Sequence, residues 1–124
     1  MFRFEKLDVW HKSVQFADDV YALTRTFPQN ERFGLTSQIR RSAVSVSSNI
    51  AEGCGRSSAR DFAHFLEIAY ASLMEVVSQL RISLRQSFID DKNHNNLYRA
   101  AEELARMLSG LRTSLVGRTL PPRE

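Results

Sequence analysis

The chain has 124 residues, of which 43% are hydrophobic and 25% charged, a composition that fits one globular domain with a core of its own and excludes a disordered or collagen-like chain. A single cysteine, Cys54, rules out an internal disulfide framework and leads us to expect a reducing, cytoplasmic setting. The opening Met1-Phe2-Arg3-Phe4-Glu5-Lys6 has no apolar signal region and no window has the length of a membrane span, so neither secretion nor membrane insertion is expected.

The net charge is only +3, but 14 of the 17 basic residues are arginine. Arginine forks match phosphate and carboxylate geometry and stack on bases. An arginine-rich solvated surface with no ligand explains the same composition equally well.

Placing residues at roughly 100° intervals yields four amphipathic helices and an all-α chain. The first is expected over about 6–26. It carries two apolar stripes: Leu7, Trp10, Val14, Ala17 and Tyr21 on one side, and Val9, Phe16, Val20, Leu23 and Phe27 on the other. Two stripes imply burial on two sides, so Val9, Phe16, Val20 and Leu23 are candidates for a contact with another subunit. The alternative is a helix central to its own bundle.

The second helix is expected over about 32–52. Leu35, Ile39, Val46 and Ile50 form a narrow apolar stripe, flanked by a polar one of Gln38, Ser42, Ser45, Asn49 and Glu52. So many serines are unfavourable by propensity, so tertiary packing must hold this helix. Gly53 is expected as a left-handed stop.

The third helix is expected over about 58–87, with Ser58 and Asp61 as a capping box. Phe62, Phe65, Leu66, Ala69, Leu73, Val76, Val77, Leu80 and Leu84 make a broad core face, while Ile68 and Ile82 lie off it. The fourth is expected over about 92–116, with Leu97, Ala101, Leu104, Leu108, Leu111 and Leu115 as its stripe. Arg99–Glu103 and Glu102–Arg106 have i,i+4 pair spacing. Residues 118–124 are expected to form a flexible tail. Short connections between four such helices predict an antiparallel up-down-up-down bundle spanning 1–117.

Three D-x-x-H matches, Asp8/His11, Asp61/His64 and Asp91/His94, have the i,i+3 spacing of bundle metal sites. Asp61 and His64 fall opposite the core face, and Asp8 and Asp91 fall at helix starts, so no metal site and no cofactor is expected. Cys54 has no histidine near it in sequence, and phosphate-loop, dinucleotide and zinc spacings are missing, so the chain reads as not an enzyme.

The remaining signal is basic. Between residues 32 and 60 stand Arg32, Arg40, Arg41, Arg56 and Arg60 against Glu52 alone. The run Gly53-Cys54-Gly55-Arg56-Ser57-Ser58 joins an arginine, hydroxyls and a helix N-terminus, a possible phosphate site. Arg81 and Arg85 form a second pair one turn apart. Arg40, Arg56, Arg60, Arg81 and Arg85 are therefore the candidate nucleic-acid contacts, although no sequence signature for reading bases accompanies them. Arg40 and Arg41 have a structural alternative, pairing with Glu52, Glu67 or Glu75, which is more favoured for Arg41.

The run Arg32-Phe33-Gly34-Leu35-Thr36-Ser37-Gln38-Ile39-Arg40-Arg41-Ser42-Ala43-Val44-Ser45-Val46, continuing to Ser48-Asn49-Ile50-Ala51-Glu52-Gly53, resembles the four-helix-bundle family of 23S rRNA intervening-sequence proteins. Phe4-Glu5-Lys6-Leu7-Asp8-Val9-Trp10 and the Phe62/Phe65/Leu66/Ala69/Ser72/Leu73/Glu75 pattern are similar to that family too. Gln38, Arg40, Arg41, Asn49, Glu52 and Gly53 stand at its signature positions, and Ser42 replaces a common alanine. The resemblance implies a ring-shaped homo-oligomer, typically a homopentamer. It also implies similarity to the accessory variability protein of diversity-generating retroelements, a partner of a reverse transcriptase and its template RNA. The function expected is a non-catalytic scaffold binding RNA or DNA, RNA favoured. The alternative is a protein-interaction adaptor with no nucleic-acid role.

Overall fold

A computed structural model describes residues 1–116. The expected tail over 118–124 lies outside the described residues. The four helices are α1 (Asp8–Thr24), α2 (Leu35–Cys54), α3 (Ala59–Arg85) and α4 (Asp91–Leu115), with short 3-10 turns at Arg3–Lys6 and Gln29–Glu31. Each helix packs against its neighbours in a cycle, α1 on α2, α2 on α3, α3 on α4 and α4 back on α1. Contacts between residues 24 and 40, 45 and 72, 67 and 112, and 12 and 103 run antiparallel, so the bundle is up-down-up-down. No helix among the described residues is long and apolar enough to cross a membrane.

The helix ends follow local chemistry. Ser58 Oγ accepts from the Asp61 amide (3.0 Å), starting α3 where expected. At α4 the cap is Asp90, whose carboxylate accepts from the Asn93 amide (2.8 Å), while Asp91 stands in the first turn, at the helix start as expected. α2 begins at Leu35 rather than 32, because the 3-10 turn and Gly34 interrupt it, and the Glu31 carboxylate accepts from the Leu35 amide (3.1 Å).

Gly53 corrects the sequence expectation. It does not stop α2, which runs on through Cys54. Its role is close approach: a β-carbon there would lie 2.5 Å from Phe65 Cβ and 3.1 Å from the Phe62 ring. Cys54 is accordingly a buried helical residue, and its carbonyl accepts from the Arg3 guanidinium, which ties the N-terminal turn to the end of α2.

The core is built from Phe16, Val20, Ile39, Val46, Ile50, Leu66, Leu73, Val76, Leu80, Leu104 and Leu108. Burial overturns the subunit-contact reading of α1. Val9, Phe16 and Val20 are 5%, 2% and 0% exposed inside this subunit, and Leu23 packs half-buried against the same core. The other stripe is only partly outward: Ala17 is buried, Leu7, Trp10 and Val14 are half-buried, and Tyr21 is exposed. Both stripes are apolar, so periodicity alone cannot say which faces inward.

The α2 serines bond both within their own helix and across to α3. Ser42 donates to the Gln38 carbonyl (3.0 Å), and the Ser45 and Ser72 hydroxyls meet across the α2–α3 seam at 2.8 Å. Asn49 Nδ2 donates to both the carbonyl and the hydroxyl of Ser45 (2.8 and 3.0 Å), so the Asn49 of the signature braces this seam.

Candidate nucleic-acid interface

The five arginines proposed from sequence do not form one surface. Up-down topology puts Arg56 and Arg60 at the end of the bundle where α2 finishes and α3 begins. Arg81 and Arg85 lie toward the other end of α3, with Arg60 and Arg85 about 38 Å apart along a helix rising 1.5 Å per residue.

Arg40 leaves the set. Its Nε donates to Thr24 Oγ1 (2.8 Å), and its guanidinium lies over the Tyr21 ring at 4.6 Å. It clamps α2 to α1 and is half-buried. The structural role expected more of Arg41 thus belongs to Arg40. Arg41 is exposed and, among the described residues, makes no ion pair with Glu52, Glu67 or Glu75.

Arg56 is partly engaged. It faces Glu52 Oε1 at 3.5 Å and stacks over Phe65 at 4.6 Å. Glu52 of the signature is therefore the partner of Arg56, and Gln38 is exposed. The phosphate loop expected over 53–58 is not assembled. Gly53 and Cys54 are helical, and Ser58 already caps the Asp61 amide, with the Asp61 carboxylate in the same first turn. Arg60, Arg81 and Arg85 are exposed, with no ion pair among the described residues.

Sequence reasoning missed the neighbours that join Arg60. Arg112 from the end of α4 reaches Glu67 of α3, with Nε donating to Oε1 at 2.7 Å, and its Nη2 contacts the same oxygen. His64, one turn beyond Arg60, and Arg112 line a common cleft with it. Only the folded order of the helices brings residues 60 and 112 together, so no local motif could have announced it.

The D-x-x-H pairs do not converge. Asp8, His11, Asp61 and His64 are exposed. His94 is buried, stacked on Tyr98, while Asp91 is exposed. Among the described residues no group of three histidine, cysteine or acidic side chains could hold a metal ion.

On the outer side, Lys12 and Glu103 join α1 to α4 at 2.7 Å. The hydrogen bond from Lys12, helped by its charge, holds the Glu103 carboxyl below its ordinary range. Glu103 therefore pairs with Lys12 rather than with Arg99, as its i,i+4 spacing suggested.

Comparison with known proteins accords with this architecture. None of the curated proteins matches the chain. A solved structure of a protein of unknown function from the S23 ribosomal protein family of Bacteroides thetaiotaomicron is similar, with a TM-score of 0.79 and 25% identity, covering 85% of this chain and 95% of that one. The family model for the 23S rRNA-intervening sequence protein matches residues 5–110. With that match over most of its length and a four-helix bundle to go with it, the chain belongs to the 23S rRNA-intervening sequence protein family.

Proposed function

We propose that this protein is a non-catalytic, self-assembling scaffold that holds nucleic acid, RNA in the first place, through arginines its own bundle leaves unpaired. One observation carries the reading. Arg41, Arg60, Arg81 and Arg85 are exposed and, among the described residues, have no carboxylate partner. Exposed arginines without a carboxylate partner keep their donors available to phosphates. The family's description, which refers to a 23S rRNA-intervening sequence, favours RNA over other polyanions.

Self-assembly is supported by the outer stripe of α1. Val14 and Tyr21 line one groove with the exposed Val44 of α2, and a second copy of the chain is the partner we propose for this face. A ring, a pentamer by family resemblance, would repeat the modest positive charge of one subunit and multiply weak phosphate contacts. A reducing, cytoplasmic location is proposed on the single, buried Cys54.

The test is a fluorescence-anisotropy titration with structured RNA, single-stranded RNA and duplex DNA across a salt series. Affinity falling linearly in log salt, with a slope lowered by Arg81→Glu plus Arg85→Glu, is the expected result. No binding at low salt would sink the nucleic-acid reading. The same α1–α2 face favours a second reading, a protein adaptor whose partner is a reverse transcriptase or another protein, and that reading would then take its place.

A further inference from the structure

We propose that the cleft between the first turns of α3 and the last turns of α4 is a subsite for a nucleotide phosphate. The proposal rests on the nucleic-acid reading above and narrows it to one place. The cleft is an open groove of 480 Å³. Arg60, His64 and Arg112 line it with polar groups, and Ala63, Leu115 and Val116 line it with apolar ones.

Glu67 is the one carboxylate in the lining, and it is already neutralised by Arg112. Both Arg112 contacts go to one Glu67 oxygen, through Nε and Nη2. That pairing fixes the guanidinium in the lining and leaves further N–H donors from its set of five. Arg60 and His64 are four residues apart on α3, so their side chains share a face. Arg60 has no carboxylate partner among the described residues. Asp61, the nearest other acid, lies roughly 100° around the helix from Arg60 and is not part of the lining. Arg56 is engaged by Glu52 and Phe65.

The cleft therefore carries an excess of positive charge from its side chains, the N-terminal end of α3 being offset by the C-terminal end of the antiparallel α4 beside it. A phosphate presents several oxygens and can take donors from Arg60 and Arg112 together. The apolar lining residues beside it suit the attached sugar or base. A strand end and a free nucleotide offer the same chemistry.

The experiment follows the His64 ring resonances of the full chain during titration with three probes: a 5′-phosphorylated trinucleotide, its 5′-hydroxyl form and a nucleoside monophosphate. The phosphorylated trinucleotide is expected to shift His64 and to bind about tenfold more tightly than the hydroxyl form, the worth of one charge-assisted contact. Arg60→Ala should lower that affinity by a similar factor. Arg99→Ala, which removes an exposed arginine on another face of α4, should leave it unchanged. A nucleoside monophosphate binding as tightly as the phosphorylated strand would identify the free nucleotide as the source.

Equal affinity for the two trinucleotides, or phosphate binding that leaves His64 unmoved and ignores Arg60→Ala, would overturn the subsite. Long RNA is titrated into the same samples. Long RNA binding with a silent cleft overturns the subsite alone, whereas phosphate-dependent binding in the cleft without long RNA binding overturns the scaffold reading and leaves the subsite standing.

Discussion

Replacing Gly53 by alanine sets helix propensity directly against packing. Propensity alone predicts a gain of about 0.8–1 kcal/mol, because alanine is the best helix former and glycine among the worst. The structure predicts the opposite sign. The new β-carbon would sit 2.5 Å from Phe65 Cβ, 3.1 Å from Phe62 Cδ1 and 3.3 Å from the Phe62 carbonyl oxygen. Carbon atoms pack best at about 3.5–4.0 Å, so α2 and α3 must separate locally by about 1 Å. Phe65 Cβ is tethered to its backbone and cannot rotate away. Overpacking of this kind costs about 1–3 kcal/mol, and the tightness of the contact puts Gly53→Ala at the upper end. After the propensity gain is subtracted, a net loss of about 1–2 kcal/mol is expected. Gly110 is the internal control. Nothing lies within 4 Å of a β-carbon built there, so Gly110→Ala should gain nearly the full propensity difference. Urea denaturation midpoints of the two variants should therefore move in opposite directions. A Gly53→Ala protein as stable as the parent, or more so, would refute the close approach of α2 to α3.

Further outcomes follow from the same geometry. Phe16→Ala should cost about 3–5 kcal/mol in denaturant unfolding, because Phe16 is core; a loss below about 1 kcal/mol would return it to the surface. Val14→Glu with Val44→Glu should leave helicity and the melting transition nearly intact but reduce the mass seen by light scattering, and an unchanged assembly would remove this face from self-association. Glu103 has a lowered folded carboxyl pKa, so its favourable contribution is complete above the unfolded value of about 4.3 and is lost as pH falls through the lower folded value. Carboxyl-carbon NMR should accordingly give Glu103 a midpoint below the ordinary glutamate range, and Lys12→Gln should raise it. A midpoint insensitive to that substitution would show that Lys12 is not its partner in solution.

The sequence by itself determined the number of helices, their order and most of their core faces. Those properties are local: a 3.6-residue period of apolar side chains, the Ser58 cap, and connections too short for anything but antiparallel neighbours. The signature residues were enough to place the chain in its family. Tertiary structure decided everything that depends on which surfaces meet. The wheel of α1 shows two apolar stripes and no preference between them, and only packing against α2 and α4 turns Phe16 and Val20 inward. Gly53 looks like a helix stop until Phe65 is seen pressed against it across the seam. Arg40 looks like a surface charge until Thr24 and Tyr21 receive it. The cleft of Arg60, His64 and Arg112 joins residues from the two ends of an antiparallel pair, a juxtaposition that exists only because α3 and α4 run in opposite directions. Periodicity records how a helix is divided around its own axis, whereas function here depends on distances between helices, which no single helix encodes.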